Sequence, residues 1–393
     1  MKKDDIVITK ALRTPVGSFG GVFRDLKATE LTVPLMRALT AEIDAGIIDD
    51  VIWGVAYQRT RDETNHARVA AVLAGIPHSV PGVTIQRVCV SSMWCVAAGI
   101  QAIRAGDAEV ILAGGTESMS TVPYTLDALR WGSRLNHVET SDALWDGVTR
   151  LGIGPAMGIT AENLADLHKI SRDEQDELAY SSHMRASRAI EDGKFRQETL
   201  QIEIPQKKGE PKVVTTDEGP RPDTTVEKLA KLRPIFKKDG TVTAGNASSM
   251  NDASAGMLIM TLGKAEKLGL KPIARILSYA VAGVDPDIMG ISPVPAGRKA
   301  LEKAGLKLSQ MDLVEINEAF AAQYLAVEKE FGLDRTITNV NGSGISLGHP
   351  IGATGARISV SLLYELKRRQ AKRGLAALCG GGGVGMAMVF EIL

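Results

Sequence analysis

Two cysteines stand where a thiol can do chemistry. Cys89 lies in Arg87-Val88-Cys89-Val90-Ser91-Ser92-Met93, immediately before an amphipathic stretch over 93–105. Free amides and the dipole at a helix start lower a thiol pKa and favour the thiolate. The bland reading of a lone cysteine is a buried core residue, and Cys95, on the helix itself, keeps it. Cys379 begins Cys379-Gly380-Gly381-Gly382-Gly383-Val384-Gly385 at the end of an apolar run. Glycine-rich loops also cradle phosphates, but a dinucleotide fingerprint follows an early strand and opens a helix. This loop precedes another strand, Met386-Ala387-Met388-Val389-Phe390, which argues against a nucleotide site.

A histidine and an asparagine complete the unusual residues. His349 sits in Gly348-His349-Pro350-Ile351-Gly352-Ala353-Thr354-Gly355. Glycines allow backbone conformations closed to other residues, and Pro350 stiffens the turn beside the imidazole. A histidine so framed serves as a base or as a donor to an oxyanion. His66, His78, His137, His168 and His183 have no such frame and read as structural. Asn317-Glu318-Ala319-Phe320 follows a strand ending at Ile316. Its amide can hold a water or a carbonyl, or cap a helix.

These residues need a scaffold, and the pattern supplies one. Apolar runs at 5–9, 50–56, 109–113, 273–282, 312–316 and 374–379 alternate with amphipathic segments at 30–44, 93–105, 295–304 and 355–372. Such alternation predicts an α/β fold with helices covering a sheet. The unit occurs twice. Ile48–Trp53 matches Gln310–Ile316, and the strand ending Ala113-Gly114-Gly115 matches the one ending Cys379-Gly380-Gly381. The offset stays at roughly 260 residues, as for two similar halves meeting face to face. We divide the chain into a first half over 1–119, completed by 250–270, an inserted loop or lid domain over 120–249, and a second half over 271–393. The insert holds a helix that starts at the capping box Ser171-Arg172-Asp173-Glu174 and stops at Gly193.

Composition narrows the function class. There are 46 basic and 46 acidic side chains, so no global field points to nucleic acid or an acidic membrane. Three cysteines without metal-cage spacing predict a reducing compartment and no metal site. With no apolar h-region and no run of eighteen apolar residues, the expectation is a cytoplasmic protein without a membrane span.

Taken together, these motifs resemble the thiolase family over nearly the whole chain. Further stretches carry the resemblance: Arg13-Thr14-Pro15-Val16-Gly17, Ala113-Gly114-Gly115-Thr116-Glu117-Ser118-Met119-Ser120, and Gly240-Thr241-Val242-Thr243-Ala244-Gly245-Asn246-Ala247-Ser248. The resemblance implies a duplicated α/β/α/β/α layered fold with an inserted loop domain. It implies an acyltransferase working on coenzyme A thioesters as substrates, with no tightly bound cofactor, as a homodimer or homotetramer. Cys89 would be the acylated nucleophile and His349 its activator. Cys379 would be the second acid/base, and Asn317 would hold a water that completes an oxyanion site with His349. The amides of Cys89 and Gly381 would form a second one. Ser248 would touch the pantetheine and Arg221 the nucleotide end, with Met157, Phe236, Ala244, Ala319 and Phe320 around the pantetheine or acyl pocket.

The implied reaction is the reversible condensation of two acetyl-CoA, with thiolysis of longer 3-ketoacyl-CoA as the alternative. A β-ketoacyl synthase would need another histidine in place of Cys379. A non-catalytic scaffold remains a second rival. The chain departs from the family pattern at Val90-Ser91-Ser92-Met93-Trp94, where a small residue and Ser-Gly are usual. It departs again at Ala156, where many short-chain members have histidine, and at Gly342-Ser343-Gly344. Trp94 and Ala156 are expected to reshape the acyl pocket in opposite directions.

Overall fold

The computed structural model describes residues 2–57, 64–149 and 151–393. Nine strands run through its main sheet: β1 Ile6–Arg13, β2 Asp50–Gly54, β3 Gly82–Ile85, β4 Val110–Ser118, β5 Asn251–Thr261, β6 Ala274–Gly283, β7 Leu313–Ile316, β8 Arg373–Gly380 and β9 Val384–Ile392. Their order is β7-β8-β9-β6-β1-β5-β4-β2-β3, and a two-residue strand, Gly17–Ser18, pairs with β5. The duplication is written in the pairing. In the first half β1 is antiparallel to β5, β5 antiparallel to β4, and β4 parallel to β2. In the second, β6 is antiparallel to β9, β9 antiparallel to β8, and β8 parallel to β7. The half-sheets join where Val7 and Ile8 of β1 pair with Arg275 and Ala274 of β6.

Each half sends one helix inward: α1, Ser91–Ala105, from the first, and α2, Thr354–Arg368, from the second. Both contribute to one core, with Met93, Val96 and Ile100 of α1 and Ile358, Leu362 and Leu366 of α2 packed among β-strand residues. Their closeness depends on small residues. A Cβ on Gly355 would lie 2.9 Å from the Met93 amide nitrogen, and one on Gly115 would lie 2.6 Å from the Ser92 Cβ. Removing such apolar surface from water contributes roughly 25 cal/mol per Å².

The segment Val88–Ala105 is apolar and long enough, by length and composition, to cross a membrane. From Ser91 onward it is the core-facing α1, and its apolarity comes from packing between the two halves. Another element escapes the alternation. β5 is buried along nearly its whole length, so Asn251-Asp252-Ala253-Ser254-Ala255-Gly256 carries no period-two signal. β6, by contrast, alternates buried and half-buried residues.

The inserted segment carries two longer helices, α3 Met157–His168 and α4 Arg172–Glu191. Ser171 Oγ accepts the Glu174 amide, and Glu174 Oε2 accepts the Ser171 amide at 2.7 Å, the predicted capping box. Gly193, at φ +67°, lies just past the helix end.

Candidate active site

The nucleophile candidate sits on a tight, strained turn between β3 and α1. Val88 has φ +50°, a left-handed conformation that a β-branched side chain rarely adopts. Ser91 holds it: its hydroxyl accepts the Arg87 amide at 2.8 Å and donates to the Val88 carbonyl at 2.6 Å. The turn leaves Cys89 partly exposed at the start of α1. Loss of solvent around the sulfur, with nearby Glu117, pushes the thiol up to about 12, against the opposing pull of the Gly381 and Cys89 backbone. The resting group is therefore a neutral thiol.

Cys379 comes from the other half, near the end of β8. It ends the β8–β9 hairpin, paired opposite Gly385, with Gly382 at φ +79° and Gly383 at φ +87° turning the chain. Those angles explain the glycine run: it is a tight hairpin loop. The thiol is buried, and burial raises its pKa, with Cys89 adding to the shift; the loop lies against the Cys89 turn, where a Cβ on Gly381 would be 3.3 Å from a Val88 methyl.

The His349 turn is fastened from three sides. Its amide donates to Asn251 Oδ1 at 2.9 Å. Gly348, at φ +101°, would drive a Cβ to within 2.5 Å of the Asn251 carboxamide. Glu117 Oε2 accepts the amides of Gly352 at 2.8 Å and Ala56 at 3.1 Å, and Oε1 accepts that of Tyr57 at 3.3 Å. The ring Nδ1 lies 2.7 Å from Thr354 Oγ1 and 3.4 Å from Asn317 Nδ2. Burial, aided by the charge of Arg357, lowers the imidazole to about 3, so it is neutral near pH 7. Asn317 is fully buried, its amide on the Ala377 carbonyl at 3.1 Å, with Oδ1 unpartnered.

The remaining expected residues fall into two groups. Ser248 donates its amide to the Ala319 carbonyl at 2.9 Å, and Ala321 donates to the Asn246 carbonyl at 2.8 Å, which ties 246–248 to 319–321. The Phe236 ring meets the Phe320 ring edge-on at 6.1 Å and lies against Gly158. Met157 opens α3 facing Gly381, where a Cβ would lie 3.3 Å from its sulfur. Thus Met157, Phe236, Ala319 and Phe320 pack in one cluster with Cys379, and Ser248 joins this wall through Ala319. Ala244 and Arg221 stand apart from it. Both are exposed, and Arg221 is anchored by its amide to His183 Nδ1 at 3.2 Å. Beside Cys89, the buried side chains of Tyr57, Met119, Leu144 and Ile351 pack with Val88 and Val148, an apolar surface suited to an acyl chain.

Comparison with known proteins gives this constellation a family. Residues 6–263 match the thiolase N-terminal domain and residues 270–392 the thiolase C-terminal domain. This chain belongs to the thiolase family. An acetyl-CoA acetyltransferase of Pseudomonas aeruginosa is 52% identical over 391 residues, covering 98% of each chain. The crystal structure of the Bacillus anthracis acetyl-CoA acetyltransferase is 51% identical, with a TM-score of 0.96 and 99% of both chains covered. That of human mitochondrial 3-ketoacyl-CoA thiolase in complex with CoA is 43% identical, also at 0.96, over 100% of this chain and 98% of the other.

In this thiolase the departures near Cys89 have local explanations. Ser92, in place of the usual glycine, is buried and accepts the Ala356 amide at 2.9 Å, satisfying a free donor in the first turn of α2. Trp94 is half-buried with the Arg87 guanidinium 4.0 Å above its ring. Sequence reasoning missed Glu117, Asn251 and Thr354. The first two are ordinary polar residues whose partners lie far away in the chain, and Thr354 stands in the glycine-framed turn with no signal of its own.

Proposed function

We propose that this chain catalyses the reversible condensation of two acetyl-CoA into acetoacetyl-CoA and free CoA. The observation that carries this reading is that the Cys379 glycine loop packs against the turn holding Cys89: a Cβ on Gly381 would lie 3.3 Å from a Val88 methyl, and one on Gly380 3.5 Å from a Val90 methyl. The proton count closes. The Cys89 proton passes to His349 as sulfur attacks the thioester carbonyl. The departing CoA thiolate takes the proton of Cys379. The Cys379 thiolate then removes a proton from C2 of the second acetyl-CoA, and the resulting carbanion attacks the acyl-Cys89 carbonyl. Cys89 leaves as a thiolate and recovers its proton from His349. Between these steps the protonated ring faces the developing oxygen anions, with a water held by Asn317. Each preorganised donor of this kind stabilises the transition state by about 3–4 kcal/mol.

The wall of Met157, Phe236, Ser248, Ala319 and Phe320 is assigned to the pantetheine arm, and Arg221 to the nucleotide end. The CoA complex of the 43% identical human enzyme supports a CoA thioester as substrate. The chain works as a dimer or tetramer; exposed Trp131 and Leu135 in the inserted segment support an assembly that covers apolar surface. Direction follows substrate levels, since cleavage is downhill. The test is to incubate the protein with acetyl-CoA, and separately with acetoacetyl-CoA plus CoA, and then with 3-ketoacyl-CoA of increasing length. Turnover highest with the four-carbon substrate is expected. Turnover with acyl-carrier-protein thioesters alone would overturn the reading.

A further inference from the structure

We propose that Thr354 is a positioning residue that fixes His349 as the tautomer protonated on Nδ1, leaving Nε2 free to take the Cys89 proton. This rests on the function proposed above and concerns a residue to which that function gives no task. Thr354 is fully buried at the first position of α2. Its hydroxyl has one hydrogen and two neighbours that compete for it: the Pro350 carbonyl at 2.9 Å and His349 Nδ1 at 2.7 Å. The first is the contact to the carbonyl four residues back that helical Thr hydroxyls commonly make. Once the hydrogen points there, the Thr354 oxygen is an acceptor, and only an Nδ1–H can complete the contact with the ring. The result is an unbroken chain of donors, His349 Nδ1 to Thr354 Oγ1 to the Pro350 carbonyl. Asn317 Nδ2, at 3.4 Å, is a donor and cannot take the ring hydrogen.

The chain serves both charge states of the ring. In the resting enzyme, Nδ1–H leaves a lone pair on Nε2. When Nε2 accepts the thiol proton, Nδ1–H keeps the same partner, so no buried group rearranges at that moment. Which nitrogen carries the proton is set by the bond that the other one makes. Removing the hydroxyl reverses the preference, because the remaining neighbour of Nδ1 is then a donor. The ring would carry its hydrogen on Nε2 and could not act as a base.

Two measurements on the full-length protein test this. The first is histidine ¹⁵N NMR of wild type and Thr354→Val, with His349→Asn used to assign the His349 signals. Nδ1–H in wild type and Nε2–H in Thr354→Val are expected. The second is the rate of acetyl transfer from acetyl-CoA to Cys89, followed by intact mass. Thr354→Val should slow it about 100-fold, the scale of a lost general base, while Thr354→Ser stays near wild type. Wild-type His349 protonated on Nε2, or unchanged acylation in Thr354→Val, would overturn the proposal. If Thr354→Val does not fold, the wild-type tautomer and Thr354→Ser still decide it: an Nε2–H ring or a Ser variant as slow as a missing base counts against it. Absence of any wild-type acylation would instead count against the underlying function.

Discussion

Ser92, at the start of the first half's inner helix, accepts at 2.9 Å the amide of Ala356 in the first turn of the second half's. The two helices that carry the chemistry are thus locked together by a residue where a glycine is usual. Ser92→Gly would leave that buried amide without a partner. The expected loss is about 1–3 kcal/mol of stability, read as a lower urea midpoint, with acylation of Cys89 retained. An unchanged midpoint would show that the contact contributes nothing.

Glu117 gathers the amides of Ala56, Tyr57 and Gly352, fastening the His349 turn to the loop after β2. Glu117→Ala would strand three amides. Several kcal/mol of destabilisation is expected at about 1–3 per buried donor, with Glu117→Gln milder because it keeps one acceptor oxygen. Equal urea midpoints for Glu117→Ala and wild type would contradict this.

The comparison with the sequence turns on reach. Cys89, His349, Cys379 and Asn317 were legible because each sits in a local frame of glycines, a strand end or a helix start. The duplicated α/β order was legible because most strands and helices have their own periodicity. β5 was not, since a strand buried on both faces and built of small residues has none. Glu117, Asn251 and Thr354 were hidden because their meaning comes from partners. Asn251 meets His349 from 98 positions away, a distance that no local pattern spans. The strain at Val88 is likewise a backbone property that the Val-Cys-Val run does not reveal.

Stability should depend on the buried histidines. His66 is fully buried, and burial lowers it to about 3 against an ordinary 6.5. Below pH 6.5 the unfolded chain takes this proton and the folded chain does not. The contribution is therefore complete above 6.5 and is lost as pH falls toward 3. One proton corresponds to about 1.4 kcal/mol per pH unit. Urea unfolding at pH 7, 6 and 5 should show wild type losing roughly that much more per unit, once below 6.5, than His66→Gln. Parallel pH dependences would contradict it.

Cys379 and Cys89 have separate tasks in this account. Cys379→Ala should still form acetyl-Cys89, while acetoacetyl-CoA formation falls by about 10³-fold or more, as expected for a lost acid/base group. The measurement pairs intact mass with turnover; loss of both steps together would argue against the division of labour.

The central claim is that Cys89 carries the acyl group, and the most direct test is covalent. Wild type and Cys89→Ala are incubated with acetyl-CoA, quenched in acid, and analysed by intact mass and peptide mapping. The account predicts a single acetyl group in wild type, mapped to the peptide containing Cys89, and none in Cys89→Ala. No adduct in wild type, or an adduct that survives the substitution, would contradict it.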